Sequence, residues 1–373
     1  MVDLKAQYEK IGTEIDTAIK SVLLSTAFIK GPDVRKFEEE LETYMGVKHV
    51  VSCANGTDAL RIAMMVLGLN PGDEVITSDF TFVATAEAAA LLGLKVIFVD
   101  PDPGTFNISS DAIRKAVTER TRLIVPVHLF GQCADMESIM DIASTHNLYV
   151  IEDAAQATGA DYNYKNGTSK KAGTIGHIGI TSFFPSKNLG CCGDGGALYT
   201  NDDEYARKLR SIANHGMKVR YSYSDIGVNS RLDTIQAAIL RVKLKYLSEF
   251  NEARQKFAAL YDEAFAGCHS LITPVRVSYS SHIYHQYTIR ITNGRRDELK
   301  IFLESKNIPG MIYYPGPLHM QEAYRSFAYI EGDLPVTSSL CREVLSLPMH
   351  PEMDQEQLDF IVTNILNFIN NQQ

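Results

Sequence analysis

One lysine, Lys187, stands in the run SFFPSKNLG (182–190), between two phenylalanines and a string of small residues, and CCGDGGALYTND follows directly. A lysine beside an apolar run has two readings. Its stem can lie along apolar surface with the ammonium in water, or it can react as an amine. Three other lysine chemistries fail on spacing. A P-loop needs G-x-x-x-x-G-K-[ST], and here Ser186 precedes and Asn188 follows Lys187. An S-x-x-K nucleophile needs a serine where Phe184 stands. The GCCGDGG run lacks the G-x-G-x-x-G order of a dinucleotide site.

Four other places carry residues able to work with such an amine. Asn55, Gly56 and Thr57 open the run TDALRIAMMVLG. A glycine there lets backbone N–H groups approach an anion, and Thr57 adds a hydroxyl; a plain turn with a threonine cap is the structural alternative. DFTFVAT brings Phe80 and Phe82, whose faces suit either a planar ligand or the core. Glu152, Asp153 and Gln156 emerge from the apolar run LYVI. Buried carboxylates are costly unless paired, so one of the two acids is expected to face a cation. Ser182 lies just before the lysine. A phosphate cradle at Thr57 and Ser182, an acid at Asp153, an aromatic at Phe82 and an amine at Lys187 suit pyridoxal 5'-phosphate. That cofactor has a phosphate, a ring face, a ring nitrogen and an aldehyde.

These residues need elements to hold them. Strands are predicted at 48–52, 74–78, 95–100, 122–130, 148–153, 180–184 and 196–200. Several are apolar throughout, as strands covered on both faces are. Helical stretches lie between them at 57–67, 83–92, 110–118, 135–145 and 202–213. This alternation predicts an α/β architecture with a mostly parallel sheet. In open sheets of that kind, ligands sit beyond the carboxyl ends of strands, where all the residues above fall. Leu232, Ile235, Ile239, Val242 and Tyr246 recur at steps of three and four and predict one long helix leading out of a large domain, 1–244. The remainder, 245–373, mixes helix and strand signals and reads as a smaller α/β domain.

Composition narrows the classes. The chain has 373 residues, 45% hydrophobic and 22% charged, with a net charge of -9 and no basic patch, which argues against nucleic acid as a partner. No apolar run reaches the length of a membrane span, and MVDLKAQYEK has no signal-peptide core, so a cytoplasmic protein is expected. The six cysteines form no C-x-x-C pair; free thiols, and no metal, are expected.

NGTDAL, DFTFVAT, IEDAAQ, SFFPSKNLG…GDGGA and GVNSRLDTIQAA together resemble, in order and spacing, the nucleotide-sugar aminotransferases of the DegT/DnrJ/EryC1/StrS type. The likeness runs over nearly the whole chain. It implies the type I pyridoxal-phosphate aminotransferase fold: a mostly parallel seven-stranded sheet sandwiched by helices, plus a smaller C-terminal α/β domain. It also implies a homodimer with active sites at the subunit interface. By this resemblance Lys187 is the Schiff-base lysine, and Asp153 partners the pyridine nitrogen. Gln156 sits near the ring hydroxyl and Phe82 stacks on the ring. Gly56, Thr57 and Ser182 hold the phosphate, and Asn229 reaches the phosphate of the neighbouring subunit's cofactor.

The implied reaction is amino transfer from L-glutamate to a keto-sugar nucleotide in surface polysaccharide biosynthesis. NSRLD resembles the branch acting at C3, nearest to amination of a UDP-linked 2-acetamido-3-oxo-glucuronic acid. There Arg231 would clamp the sugar carboxylate. Tyr313 and Tyr314 would contact the substrate, although the uronate branch carries His-Tyr-Pro where this chain has Tyr313-Tyr314-Pro315. A dTDP-linked 3-oxo-6-deoxyhexose or a 4-keto sugar is the alternative substrate. A sugar dehydratase on the same fold lacks the lysine, and a cofactor-binding regulator should show damage at Lys187 or Asp153; neither lesion is present.

Overall fold

The computed structural model describes residues 1–327, 329–330 and 332–370. Two helices that the strand-and-helix pattern above does not include come first, α1 (Leu4–Ser25) and α2 (Pro32–Met45). Asp3 caps α1 by accepting from the Ala6 N–H at 2.9 Å. Pro32 opens α2, and Gly46 closes it at φ 64°, a left-handed conformation that favours glycine.

The large sheet then begins: β1 (His49–Cys53), α3 (Gly56–Val66), β2 (Glu74–Ser78), α4 (Ala84–Leu91), β3 (Lys95–Val99), α5 (Ser110–Ala116), β4 (Thr121–Val125), α6 (Met136–His146) and β5 (Tyr149–Asp153). A small hairpin, β6 (Asp161–Asn163) and β7 (Ser169–Lys171), interrupts it before β8 (Ile178–Ser182), β9 (Gly196–Thr200) and α7 (Asp203–Ile212). The seven strands lie in the order β1-β9-β8-β5-β4-β2-β3. Only β9 runs against the rest.

The continuous apolar runs follow from cover on both faces. Val51, Val75, Ile151 and Ile180 pack under α3, α4 and α7. Their neighbours Ile76, Ile124 and Val150 pack under α5 and α6. Val50, Ala197 and Tyr199 meet Phe37 and Leu41 of α2. Burying both faces removes the polar alternation a half-exposed strand would show.

Two expectations need correction. The run 122–130 is not one strand: β4 stops at Val125, because Pro126 has no N–H to donate. The chain continues as a short turn, Leu129–Gly131, with Phe130 at φ 57°. The helix expected from Leu232 to Tyr246 is two helices. After the exposed hairpin β10 (Met217–Val219) and β11 (Ser222–Tyr223) come α8 (Thr234–Leu244) and α9 (Leu247–Ala264). Ile235, Ile239, Val242 and Tyr246 share one cluster with Ile11 and Ile15 of α1. Leu232 precedes the helix and packs in a different cluster, with Phe37 and Phe183. The periodicity was genuine for four of the five residues, and the break at Lys245 and Tyr246 keeps near-helical angles, so period alone did not reveal it.

Beyond α9 lie β12 (Leu271–Ile272), β13 (Tyr287–Ile291), α10 (Arg296–Ser305), α11 (Pro335–Glu343), β14 (Val344–Leu347) and α12 (Gln355–Asn370). The strands form an antiparallel sheet ordered β12-β13-β14, and α9, α10 and α12 bury its apolar residues. We place the division between a large unit, 1–244, and a small one, 245–373, at the α8–α9 turn, as a proposal. Among the described residues no helix is long and apolar enough to cross a membrane.

Candidate active site

The carboxyl ends of β1, β5 and β8 open on a cavity of about 410 Å³. Gly56, Thr57, Phe82, Asp153, Gln156, Ser182, Lys187, Tyr313 and Tyr314 all line it. Nine of the expected site residues, distant in sequence, therefore meet in one place. Asn229 and Arg231 do not. Asn229 is exposed, and its backbone pairs with Asn214. Arg231 lines a second cavity of about 510 Å³ with Lys30, Glu38 and Arg210. Ser230, between them, is buried and accepts from the Ala54 N–H at 3.1 Å, which fixes this segment behind the β1–α3 loop.

The anion end of the cavity is built by that loop. Asn55 Oδ1 accepts from the Asp58 N–H at 2.7 Å and caps α3. The Gly56 and Thr57 N–H groups donate to no protein acceptor among the described residues. Free N–H groups at the positive end of a helix dipole suit an anion. Gly56 is required by space: a Cβ there would lie 2.8 Å from the Ser182 Cβ. Gly56→Ala should therefore push α3 off the strand end. We expect a loss of about 1–3 kcal/mol in urea unfolding of the apo-protein and weaker cofactor retention after gel filtration. An unchanged urea midpoint would show that the two segments separate freely.

At the other end, Asp153 is buried. Its Oδ2 accepts from the Thr85 hydroxyl at 2.9 Å and its Oδ1 from the Ala155 N–H at 3.1 Å. Burial pushes the carboxyl above its usual range; the two donors and the charge of Lys187 pull it back only in part. Glu152 points away from the cavity and is fully buried. It accepts from the N–H groups of Gly173, Ile175 and Gly176 at 3.0, 2.5 and 2.5 Å and from His128 at 2.9 Å. His128 Nδ1 accepts from the Ala134 N–H at 3.1 Å, so the proton sits on Nε2 and the imidazole is neutral. The expected cation beside one of the two acids is thus absent from Glu152. Three backbone donors and a neutral histidine satisfy it instead.

Lys187 makes no ion pair or side-chain hydrogen bond among the described residues. Burial lowers its pKa from the ordinary value to about 8, with Asp153 opposing the shift. The cost of desolvating both ions exceeds their mutual attraction, so Asp153 shifts up while Lys187 shifts down. A substantial neutral fraction near physiological pH is what a reactive amine requires. Gln156 Oε1 accepts from the Phe130 N–H at 2.7 Å, and its Nε2 donates to the Tyr314 hydroxyl at 3.2 Å, which brings the small unit onto the cavity wall. Phe82 is 56% exposed at the mouth, whereas Phe80 is core.

Thr81, Thr85, Asp194, His285 and Gln286 also belong to the site or its support and were not foreseen. His285 and Gln286 sit in HIYHQY, just before β13, where a polar pair interrupts an apolar run. That interruption was the available signal. Thr81 carries a buried hydroxyl with no partner among the described residues and lines the cavity. The donor set fits pyridoxal phosphate. There are free N–H groups for an anion at α3, a carboxylate for a protonated ring nitrogen, a flat aromatic face and one amine.

Comparison with known proteins agrees. The pattern of the DegT/DnrJ/EryC1/StrS aminotransferase family matches residues 9–366. The chain is 48% identical over 372 residues to a pleiotropic regulatory protein of Geobacillus stearothermophilus, covering 99% of this chain and 98% of that one. It is 45% identical over 366 residues to a UDP-2-acetamido-2-deoxy-3-oxo-D-glucuronate aminotransferase of Pseudomonas aeruginosa, covering 98% and 99%. Among solved structures, S. venezuelae DesV in complex with a ketimine intermediate superposes with a TM-score of 0.95 at 39% identity, covering 99% of this chain and 98% of that one.

Proposed function

Because this chain belongs to the DegT/DnrJ/EryC1/StrS aminotransferase family and is a pyridoxal-phosphate-dependent sugar aminotransferase, we propose that it moves an amino group from L-glutamate to C3 of a UDP-linked 3-oxo uronic acid sugar. The product would serve surface polysaccharide biosynthesis in the cytoplasm. The observation that carries the chemistry is the meeting of Lys187, Asp153 and the α3 N-terminus in one cavity. Full-length identity of 45% to a relative named for a 3-oxo-glucuronate supports the substrate class.

The chain's own residues have distinct tasks. Gly56, Thr57 and Ser182 would bind the phosphate. Phe82 would cover the ring face, and Gln156 would face its hydroxyl. Asp153 would hold a proton on the ring nitrogen. When bound, the cofactor supplies an aldehyde that takes up an amine and a ring that spreads an electron pair. Lys187 would hold its aldehyde end and, as a neutral amine, would carry a proton to and from the substrate carbon. Tyr313 and Tyr314 border the sugar. Asn229 and Arg231 lie outside their own chain's cavity, so we assign them to the site of a second copy in a homodimer. Asn229 would reach the phosphate there and Arg231 the sugar carboxylate. A reading as a cofactor-binding regulator is disfavoured because Lys187 and Asp153 both stand intact.

The test is a substrate panel. Glutamate should convert the yellow protein to its pyridoxamine form. That form should regain the aldehyde absorbance with a UDP-linked 3-oxo uronate, more slowly with a neutral 3-oxo sugar, and not with a 4-oxo sugar. Recovery with the 4-oxo sugar alone would overturn the proposal. In the same assay Arg231→Leu should raise KM for the uronate about 10-fold or more and leave the neutral sugar's KM unchanged. An equal change for both sugars would remove Arg231 from carboxylate recognition.

A further inference from the structure

We infer that His285 is a positioning residue of this site: a neutral imidazole, protonated on Nδ1, whose bare Nε2 takes a hydrogen bond from the Lys187 amine through one water. The inference rests on the reading of Lys187 as the working amine, but the tautomer is fixed independently of it.

A chain of amides fixes that tautomer. Asn188 follows Lys187 and is buried, as are Asn251 of α9 and His285. Asn188 Nδ2 donates to Asn251 Oδ1 at 2.7 Å and to the Ile283 carbonyl at 3.2 Å. A carbonyl can only accept, so the amide orientation is settled, and Asn188 Oδ1 is the atom that faces His285 Nδ1 at 3.3 Å. An amide oxygen also only accepts. Nδ1 must therefore carry the proton, which leaves Nε2 with a lone pair if the ring is neutral.

The surroundings keep it neutral. Burial drives the imidazole well below its ordinary pKa, and Lys187 and Arg254 add to the effect. Arg254, on α9, is buried and donates to the carbonyls of Tyr284 and Met349 at 3.1 and 2.9 Å, with the His285 carbonyl at 3.5 Å. The other ionisable groups on the cavity wall are Asp153, Asp194, Tyr313 and Tyr314. His285 Nε2 has no hydrogen-bond partner among the described residues. It is also not sealed in the interior, as the unpaired Nε2 of His319 is. His285 and Lys187 line the same cavity. A neutral acceptor there can orient an N–H of the lysine without adding a second positive charge. It is too weakly basic to take the proton away, so its task is placement. The same amides brace the backbone beside Lys187, and α9 thereby couples the small unit to the lysine loop.

The protein loaded with pyridoxal phosphate and labelled with 15N-histidine provides the first test. His285→Gln identifies the resonance. Between pH 6 and 9 it should report a bare Nε2 and a protonated Nδ1; a protonated Nε2 or an imidazolium would overturn the inference. The second test uses the apo-protein, with Lys187 titrated by the pH dependence of its capture of pyridoxal phosphate under borohydride. A hydrogen bond to an ammonium favours the charged form. His285→Leu should therefore lower the midpoint by about half a pH unit or more, and reduce kcat about 10-fold with KM within about twofold. His285→Gln, whose amide oxygen can stand in for Nε2, should restore most of both. A midpoint and kcat unmoved in the leucine variant would overturn the role. If the leucine variant fails to fold, the glutamine variant and the tautomer still decide. Failure of the Lys187 reading would show differently, as covalent capture persisting in Lys187→Ala.

Discussion

Lys187→Ala is expected to reduce kcat by at least about 10³-fold, because in the proposed mechanism one side chain both tethers the cofactor and moves the proton. The variant should still bind pyridoxal phosphate, held by the α3 N-terminus and the Asp153 end, neither of which is hydrogen-bonded to the lysine side chain among the described residues. Borohydride should leave no adduct in it. The wild-type pH dependence follows from the lowered pKa of about 8. Below that value the amine is mostly protonated, and capture of cofactor by the apo-protein should rise about tenfold per pH unit. Above it, capture should level off. An ordinary surface lysine would keep rising to about pH 10. A borohydride-stable adduct in the alanine variant, or a wild-type rate still climbing tenfold per unit at pH 10, would contradict the assignment.

How much of this was readable beforehand depended on distance along the chain. Lys187 was readable because a single amine at the end of an apolar strand conflicts with its surroundings locally. The strands were readable because burial on both faces leaves continuous apolar runs such as Val50–Val51 and Val75–Ile76. What failed was local geometry that composition does not encode. Pro126 ended a strand inside an unbroken apolar stretch, and α8 and α9 parted at residues that keep nearly helical angles. The support of the site was not readable at all. Thr85 meets Asp153 across 68 positions, Asn188 meets His285 across 97, and Gln156 meets Tyr314 across 158. No periodicity reports such pairs. Tyr313 and Tyr314 were placed only through family likeness, and the cavity wall they form depends on the small unit's packing.

Asp153→Asn should separate stability from activity, with opposite signs. In the apo-protein the carboxyl has a raised pKa because burial outweighs its two donors and the nearby lysine charge. A raised acid binds more protons folded than unfolded. Its contribution is therefore fully present below the ordinary carboxylate range and is lost as pH rises through the raised folded value. Above that raised value the apo wild type carries a buried negative charge that asparagine does not. The amide can still accept from the Thr85 hydroxyl or the Ala155 N–H, since its oxygen occupies one of the two carboxylate positions. The apo variant should then melt at or above the wild-type temperature at the alkaline end of the stable range, with the advantage shrinking as pH falls. Bound cofactor reverses the comparison. In the proposed mechanism the carboxylate that burial disfavours is what would hold a proton on the ring nitrogen, and a neutral amide could not do so. The stabilisation that the wild type gains from cofactor should shrink in the variant, and kcat should fall about 10²–10³-fold, the range seen when one preorganised charge-stabilising group is lost. Equal melting losses at every pH would reduce Asp153 to a structural residue. A retained kcat would remove it from the chemistry. The pairing of a more stable apo-protein with a nearly inactive loaded one requires a carboxylate kept at this position against its own solvation.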